Sequence, residues 1–330
     1  MRVCTSVITP APGKQAARVA MALSMLSGDV QRIILGQLCN PLEPRLAMYC
    51  SSASSELRLL LTPAMRQKLR ADHEAAAALC RKVGMRSCKE LREAWMAAWW
   101  DKDLSAPDLA TLGTLGSLLP ALRSLSLADN SGAAGPDGVQ RLAEGLNAGA
   151  LPAVTRLSLQ MHVHDAGASD LAAALGRGAL PRLEILVLTH AAIGDAGLVA
   201  LAPALRQRPA LKSLSLSDNP FGDEGLAALV APPPPPAGAL PLPAGGLKEL
   251  MRLNLDYTEV SDAGCAALAA ALDSGAFPAL EELSLYGIPA SAAAKEAVQR
   301  KLCMRHWHPR SRAALPPDTF SVALRIPLWL

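Results

Sequence analysis

Aromatic residues are scarce in this chain of 330 residues: three Phe, three Tyr and five Trp, 3% of the total. A core built on stacked rings is therefore excluded. The 51% apolar content falls mainly to alanine and leucine, which suits close packing of small side chains between helices and a sheet. Seven cysteines stand scattered, odd in number and without a Cys-x-x-Cys, so reduced thiols of a cytoplasmic protein are expected, with the nucleus as an alternative. No uninterrupted run reaches the ~18 apolar residues of a membrane span, and no membrane partner is expected. The nucleophile elbow, the Walker loop, the dinucleotide fingerprint and His-Glu-x-x-His are all missing. No enzyme and no cofactor follow from the sequence.

What is present is repetition. The phrase Leu-x-x-Leu-x-Leu occurs six times, starting at Leu122, Val154, Leu183, Leu211, Leu250 and Leu280. The starts lie 32, 29, 28, 39 and 30 residues apart. Self-similarity at a period of about 20–50 residues marks a stacked solenoid. Within each phrase the leucines alternate as a strand requires, with Leu125 and Leu127 on one face and Ser124 and Ser126 on the other. A helical stripe follows each strand, as at Leu198, Leu201 and Leu205. Asp165-x-Gly167, Asp195-x-Gly197, Asp223-x-Gly225 and Asp262-x-Gly264 open these helices, and Asp195 is expected to cap its own helix. Strands pack about 4.8 Å apart while helices need about 10 Å, so a stack of such units must curve with its sheet inside. The fold class that follows is α/β: a curved right-handed solenoid with parallel strands inside and helices outside, preceded by a small all-α region.

Segments 183–205 and 211–230 resemble leucine-rich repeats of the ribonuclease-inhibitor type, and the resemblance extends over 119–302. It implies a horseshoe segment of six repeats that binds protein on its concave face. That family favours Asn at the turn after each strand. Here the position reads Asn130, His162, Ala191, Asn219, Thr258 and Ile288, which breaks the amide ladder.

Five further regions flank or interrupt the repeats. Residues 1–22 read as a flexible leader whose basic, acid-free composition also fits an organelle transit peptide. Residues 23–61 contain three short apolar helices and resemble an F-box. By that resemblance Leu26, Val30, Ile33, Ile34, Leu38, Pro41 and Leu42 would dock on the Skp-type adaptor of a ubiquitin ligase. The same segment also reads as a helical cap on the first strand. Residues 62–118 are expected to be helical throughout, with Thr62-Pro63, Ser87 to Glu90 and Ser105 to Asp108 as helix starts and Leu91, Trp95 and Trp99 on one face. A proline-rich insertion at 231–246 accounts for the long spacing, and 303–330 forms an irregular tail in which Cys303, His306 and His308 lack a fourth ligand for a metal.

Charge is unevenly placed. Residues 1–110 hold 15 Lys/Arg against 10 Asp/Glu, residues 111–302 hold 13 against 18, and residues 303–330 hold 4 against 1. Acidic repeats argue against nucleic acid, whose binding requires a basic footprint, and favour a basic protein surface. The candidate contact residues are Asp129, Arg156, His190, Asp218, Arg252, Asp256, Tyr257 and Tyr286, on or just beyond the inward strand positions. His162 and His164 beside Asp165 are the nearest approach to a catalytic group, but Asp165 is already explained by its helix. The expected function is protein–protein interaction, in its sharper form as a ubiquitin-ligase substrate receptor. The repeat subclass also allows a regulator of a small GTPase of the Ran-activator type, or an enzyme inhibitor.

Overall fold

Leucine alternation followed by a helical stripe, written repeatedly, builds one strand and one helix per unit. The computed structural model describes residues 61–128, 137–146, 149–230 and 247–306, together with 25, 30, 39–45, 47–48 and 133–134. The leader, most of the F-box-like segment, the proline-rich insertion and residues 307–330 lie outside the described residues.

The chain enters through helices α1 (Pro63–Lys82) and α2 (Cys88–Glu93). Thr62 accepts from Met65 N at 3.3 Å, with Pro63 in the first turn, where its missing N–H costs nothing. Ser87 accepts from Glu90 N at 3.3 Å, and Ser105 N donates to Asp108 at 2.9 Å ahead of α3 (Ala106–Leu115). Between α2 and α3 the expectation of unbroken helix fails. Met96–Trp100 is strand β1. Trp99 enters the core, whereas Trp95 stands exposed, so the two do not share a helical face.

After β1 the pattern is regular: β2 (Ser124–Ala128), α4 (Gly138–Gly145), β3 (Arg156–Gln160), α5 (His164–Gly176), β4 (Ile185–Val187) and α6 (Asp195–Arg206). Then follow β5 (Ser213–Ser215), α7 (Asp223–Val230), β6 (Arg252–Asn254), α8 (Asp262–Asp273), β7 (Glu282–Ser284) and α9 (Ala292–His306). The seven strands form one sheet in sequence order, every neighbour parallel, and consecutive helices pack side by side. This is an α/β solenoid with seven strands among the described residues, one more than the six repeats read from leucine.

Register aligns the apolar positions into rows. Ala97, Leu125, Leu157, Leu186, Leu214, Leu253 and Leu283 sit opposite one another and are buried beneath the helices. Each buried leucine contributes about 1.5–3 kcal/mol, but only because neighbouring units close over it.

The recurring Asp-x-Gly has a different use from the one expected. Gly194, not Asp195, occupies the cap position of α6. The Asp195 carboxylate instead accepts from Gly222 N at 2.8 Å and Gly225 N at 2.7 Å, at the start of the next helix. Likewise Asp165 accepts from Gly194 N at 2.7 Å, Asp223 from Ser261 N at 2.8 Å and Asp262 from Ser291 N at 2.5 Å. The glycine is required by this reach. A Cβ on Gly197 would lie 2.5 Å from Asp165 Oδ1, and one on Gly225 would lie 2.8 Å from Asp195 Oδ1. Arginines stitch the opposite helix ends, where Arg177 donates to Ala143 O and Leu146 O and Arg208 to Leu175 O, and Arg305 donates to Phe277 O in the loop after α8. Acid at helix N-termini and arginine at C-termini both complement the helix dipole.

Candidate functional site

Two surfaces follow from the strand register. The inner face of the sheet carries two rows: Met96, Ser124, Arg156, Ile185, Ser213, Arg252 and Glu282, then Ala98, Ser126, Ser158, Val187, Ser215, Asn254 and Ser284. Small hydroxyls dominate the middle, and Arg252 faces Glu282 across adjacent strands at 3.4 Å. Arg156 is exposed in the same row as Arg252, three strands away.

The second surface is the rim just past the strand ends. His190, Asp218, Tyr257 and Gly287 occupy equivalent places in four successive turns, and all have positive φ, from 53° to 69°. A left-handed backbone is unusual for a tyrosine. Here the shared turn of these four repeats imposes it. Gly287 lets the Tyr257 ring lie against the backbone, since a Cβ there would meet Tyr257 Cδ1 at 2.5 Å. The Tyr257 ring meets that of Tyr286 edge to face, centroids 5.3 Å apart and planes at 80°. Both rings remain exposed.

Carboxylates flank the pair. Asp256 Oδ1 accepts from Ser284 Oγ at 2.6 Å and Tyr286 N at 2.7 Å, and Asp256 N donates to Asn254 Oδ1 at 2.8 Å. Asp218 Oδ2 lies 3.7 Å from His190 Nε2, an ion pair only when the imidazole is protonated. Partial desolvation, then the hydrogen bond and charge of Tyr286, then the charges of Asp218 and Asp256, push the Tyr257 phenol above its ordinary pKa.

Beneath the rim, Asn219 is buried with all its polar atoms satisfied. Its Nδ2 donates to Leu188 O, Leu216 O and Ser217 O, and its Oδ1 accepts from Ala191 N and Ile193 N. Thr258 serves one repeat later with a single bond to Leu255 O at 2.8 Å, and Ala191 and Ile288 fill the position with apolar volume. His162 is exposed and does not occupy this buried slot.

The structure brings His190, Asp218, Asp256, Tyr257 and Tyr286 together on the rim, while Arg156 and Arg252 sit at the opposite end of the strands. Asp129 lies outside the described residues. So do Leu26, Ile33, Ile34 and Leu38 of the F-box-like segment. Val30 is exposed, the Pro41 carbonyl accepts from His73 Nδ1 at 2.6 Å, and Leu42 is 5% exposed in the core that holds Ala76 and Leu79. His162 and His164 stack 5.6 Å apart, and Asp165 accepts from Gly194 N at 2.7 Å. Among the described residues no group of three or more His, Cys, Asp or Glu could hold a metal.

Sequence reasoning missed the strand that lets Met96, Ala98 and Trp100 begin the inner face. The signal was spacing: Met96 stands 28 residues before its partner Ser124, one repeat period. Its motif reads Ala94-x-x-Ala97-x-Trp99, without a leucine to mark it.

A family model described as Leucine Rich repeat matches residues 180–202 and 209–230. The units are leucine-rich repeats. The chain is also similar to the ribonuclease inhibitor of Sus scrofa, 32% identical over 139 residues, which is 41% of this chain and 27% of that protein's length. The chain thus spans about a quarter of the curated relative it matches. Solved leucine-rich-repeat chains are distant in shape. Leiomodin-1 actin-binding site 2 is 14% identical with TM-score 0.35, covering 60% of this chain and 88% of that one. A tropomodulin C-terminal domain from Caenorhabditis elegans is 18% identical with TM-score 0.32, over 45% and 80%. An internalin from Listeria monocytogenes is 12% identical with TM-score 0.28, over 70% and 80%. Likeness at that level says nothing about a partner.

Proposed function

We propose that this leucine-rich-repeat chain is a protein-binding module, not an enzyme, and that it takes a basic protein surface on the inner face and rim of the sheet. The observation that carries the reading is the Tyr257–Tyr286 pair, exposed, packed edge to face and flanked by the Asp218 and Asp256 carboxylates. Rigid tyrosines supply contact area at little entropic cost, and the carboxylates select lysine or arginine. A photo-crosslinking residue placed at Ser213 on the inner face should capture a protein from the source cell, and the same residue at Val199 on the outside of α6 should not. Asp218→Arg with Tyr257→Ala should weaken that capture by about 30-fold or more, as the loss of a hot spot does. Equal capture from both faces, or capture indifferent to the double substitution, refutes the reading.

A finer form makes the chain a ubiquitin-ligase substrate receptor that carries a Skp-type adaptor on its F-box-like segment. The burial of Leu42 and the hydrogen bond at Pro41 favour the cap for that part of the segment. Ile33→Asp with Leu38→Asp separates the two, since a docking role loses a purified Skp-type adaptor and a capping role loses stability. The GTPase-regulator alternative predicts faster GTP hydrolysis across a panel of small GTPases, and an inhibitor predicts suppression of a target enzyme.

A further inference from the structure

The sheet ends differently at its two edges. At β7 the outward carbonyl of Leu283 accepts from Gln299 Nε2 of α9 at 2.8 Å, so that edge is partly satisfied by its own chain. At β1, Ser124 N donates to Trp95 O and Asp101 N to Ala128 O, both at 3.2 Å. The backbones of Ala97 and Trp99 therefore face β2, and Met96, Ala98 and Trp100 turn their amides and carbonyls away from it. Among the described residues no strand pairs with them. Their side chains are exposed on the inner face, where Trp100 Nε1 donates to Ser126 Oγ at 3.1 Å. The margin beside the start of the strand is mixed, with Trp95 and Met96 next to Lys89, Glu90 and Glu93. An open strand edge is a template for another strand.

We propose that this edge pairs with β1 of a second copy of the chain, antiparallel about a two-fold axis at Ala98, joining two sheets into one. Parity supports the choice. Centring on Ala98 sets it opposite itself and sets Met96 opposite Trp100 of the other copy. All three outward residues of each strand then fall in hydrogen-bonded pairs, about six bonds in all. The side chains suit that register. Opposed residues share a face with their Cα atoms about 5.5 Å apart. The central pair is two alanines, which leaves the strands free to approach, and each flanking pair sets a thioether against an indole. Charge selects the direction. Arg86 and Lys89 are exposed ahead of β1, and Asp101 and Asp103 are exposed just past its end. Antiparallel pairing brings the basic start of each strand to the acidic end of the other, whereas parallel pairing would bring like to like. Glu90 and Glu93 are engaged within their own copy, by Arg86 N at 2.8 Å and by Lys89 Nζ at 3.8 Å. A two-fold uses the edge once in each copy, so association stops at two. The Tyr257–Tyr286 rim lies at the opposite edge of the sheet, beside β6 and β7, so the pairing is independent of the partner proposed above.

Sedimentation equilibrium and hydrogen exchange on the purified full-length chain test it. The chain should pass from monomer to dimer between about 1 and about 100 µM. Over that range the amides of Met96, Ala98 and Trp100 should slow about tenfold or more, while those of Ala97 and Trp99, already bonded to β2, change little. Ala98→Pro removes one outward N–H and none from the β2 ladder, so it should hold the chain monomeric with unchanged protection at Leu157 and Leu214. Arg86→Glu with Lys89→Glu leaves the strand intact and should weaken dimerisation about tenfold at low salt. Were Ala98→Pro to lose the fold, the charge variant alone decides. A monomer throughout overturns the proposal. So does protection of the three amides that ignores concentration, which would assign the edge to the chain's own residues, and so does a dimer that the variants leave unchanged.

Discussion

Asp195 stands in the first turn of α6, yet both of its hydrogen bonds cross to the next repeat. Its value lies in joining units rather than in starting its own helix. Asp195→Ala should therefore cost about 2 kcal/mol, and Asp165→Ala, with one such bond to Gly194, about 1 kcal/mol, read from urea unfolding. The recurrence of Asp-x-Gly was legible in the sequence, but the partner was not, because the glycine makes room for an aspartate some thirty residues earlier. Tyr257 teaches the same lesson: its left-handed backbone is imposed by the turn and hidden from composition. A titration adds a check at this scale. Burial, the neighbouring Cys88 thiol and the Glu90 charge push Cys80 from about 9 in the open chain to about 12, against a weaker opposing backbone bond. The folded state keeps a proton that the unfolded state releases, so stability should fall as pH rises from about 9 to about 12. Cys80→Ala should flatten that slope in urea midpoints measured across the range.

At the scale of elements, β1 is where local pattern misled. Leu91, Trp95 and Trp99 fall four residues apart and imitate a helical stripe, while the strand's core-facing positions are filled by Ala97 and Trp99. Pairing with β2 decided the matter, since a strand there covers the edge of the leucine core and a helix would leave it open. The two readings differ in outcome. Trp99→Ala should cost about 3–5 kcal/mol, as a large buried side chain does, and Trp95→Ala about 0.5 kcal/mol or less. Similar losses at both positions in thermal unfolding would contradict the strand. Helix starts were more legible. Thr62, Ser87 and Ser105 each mark a described helix, because a side-chain acceptor followed by a first turn is a local arrangement that needs no tertiary partner.

For the whole molecule, stability is a sum over neighbouring repeats, and position along the stack should matter as much as residue type. Leu214 has strands on both sides and Leu283 has one. Leu214→Ala should lower global stability by about 2–5 kcal/mol. Leu283→Ala should instead speed exchange chiefly in β7 and α9, leaving the amides of β3 to β5 protected, as native-state hydrogen exchange would show. The sequence by itself determined the period, the alternation of strand and helix and the sidedness of every leucine, because these depend on backbone repeats of two and 3.6 residues that any reader can count. It also placed Asp218, Asp256, Tyr257 and Tyr286 just beyond their strands. Only the tertiary structure decided that a seventh strand opens the sheet, that aspartates bind across repeats, and that His190, Asp218 and Tyr257 line one rim. Each of those outcomes depends on which units become neighbours, and adjacency in the stack is a property of register, which no single repeat contains.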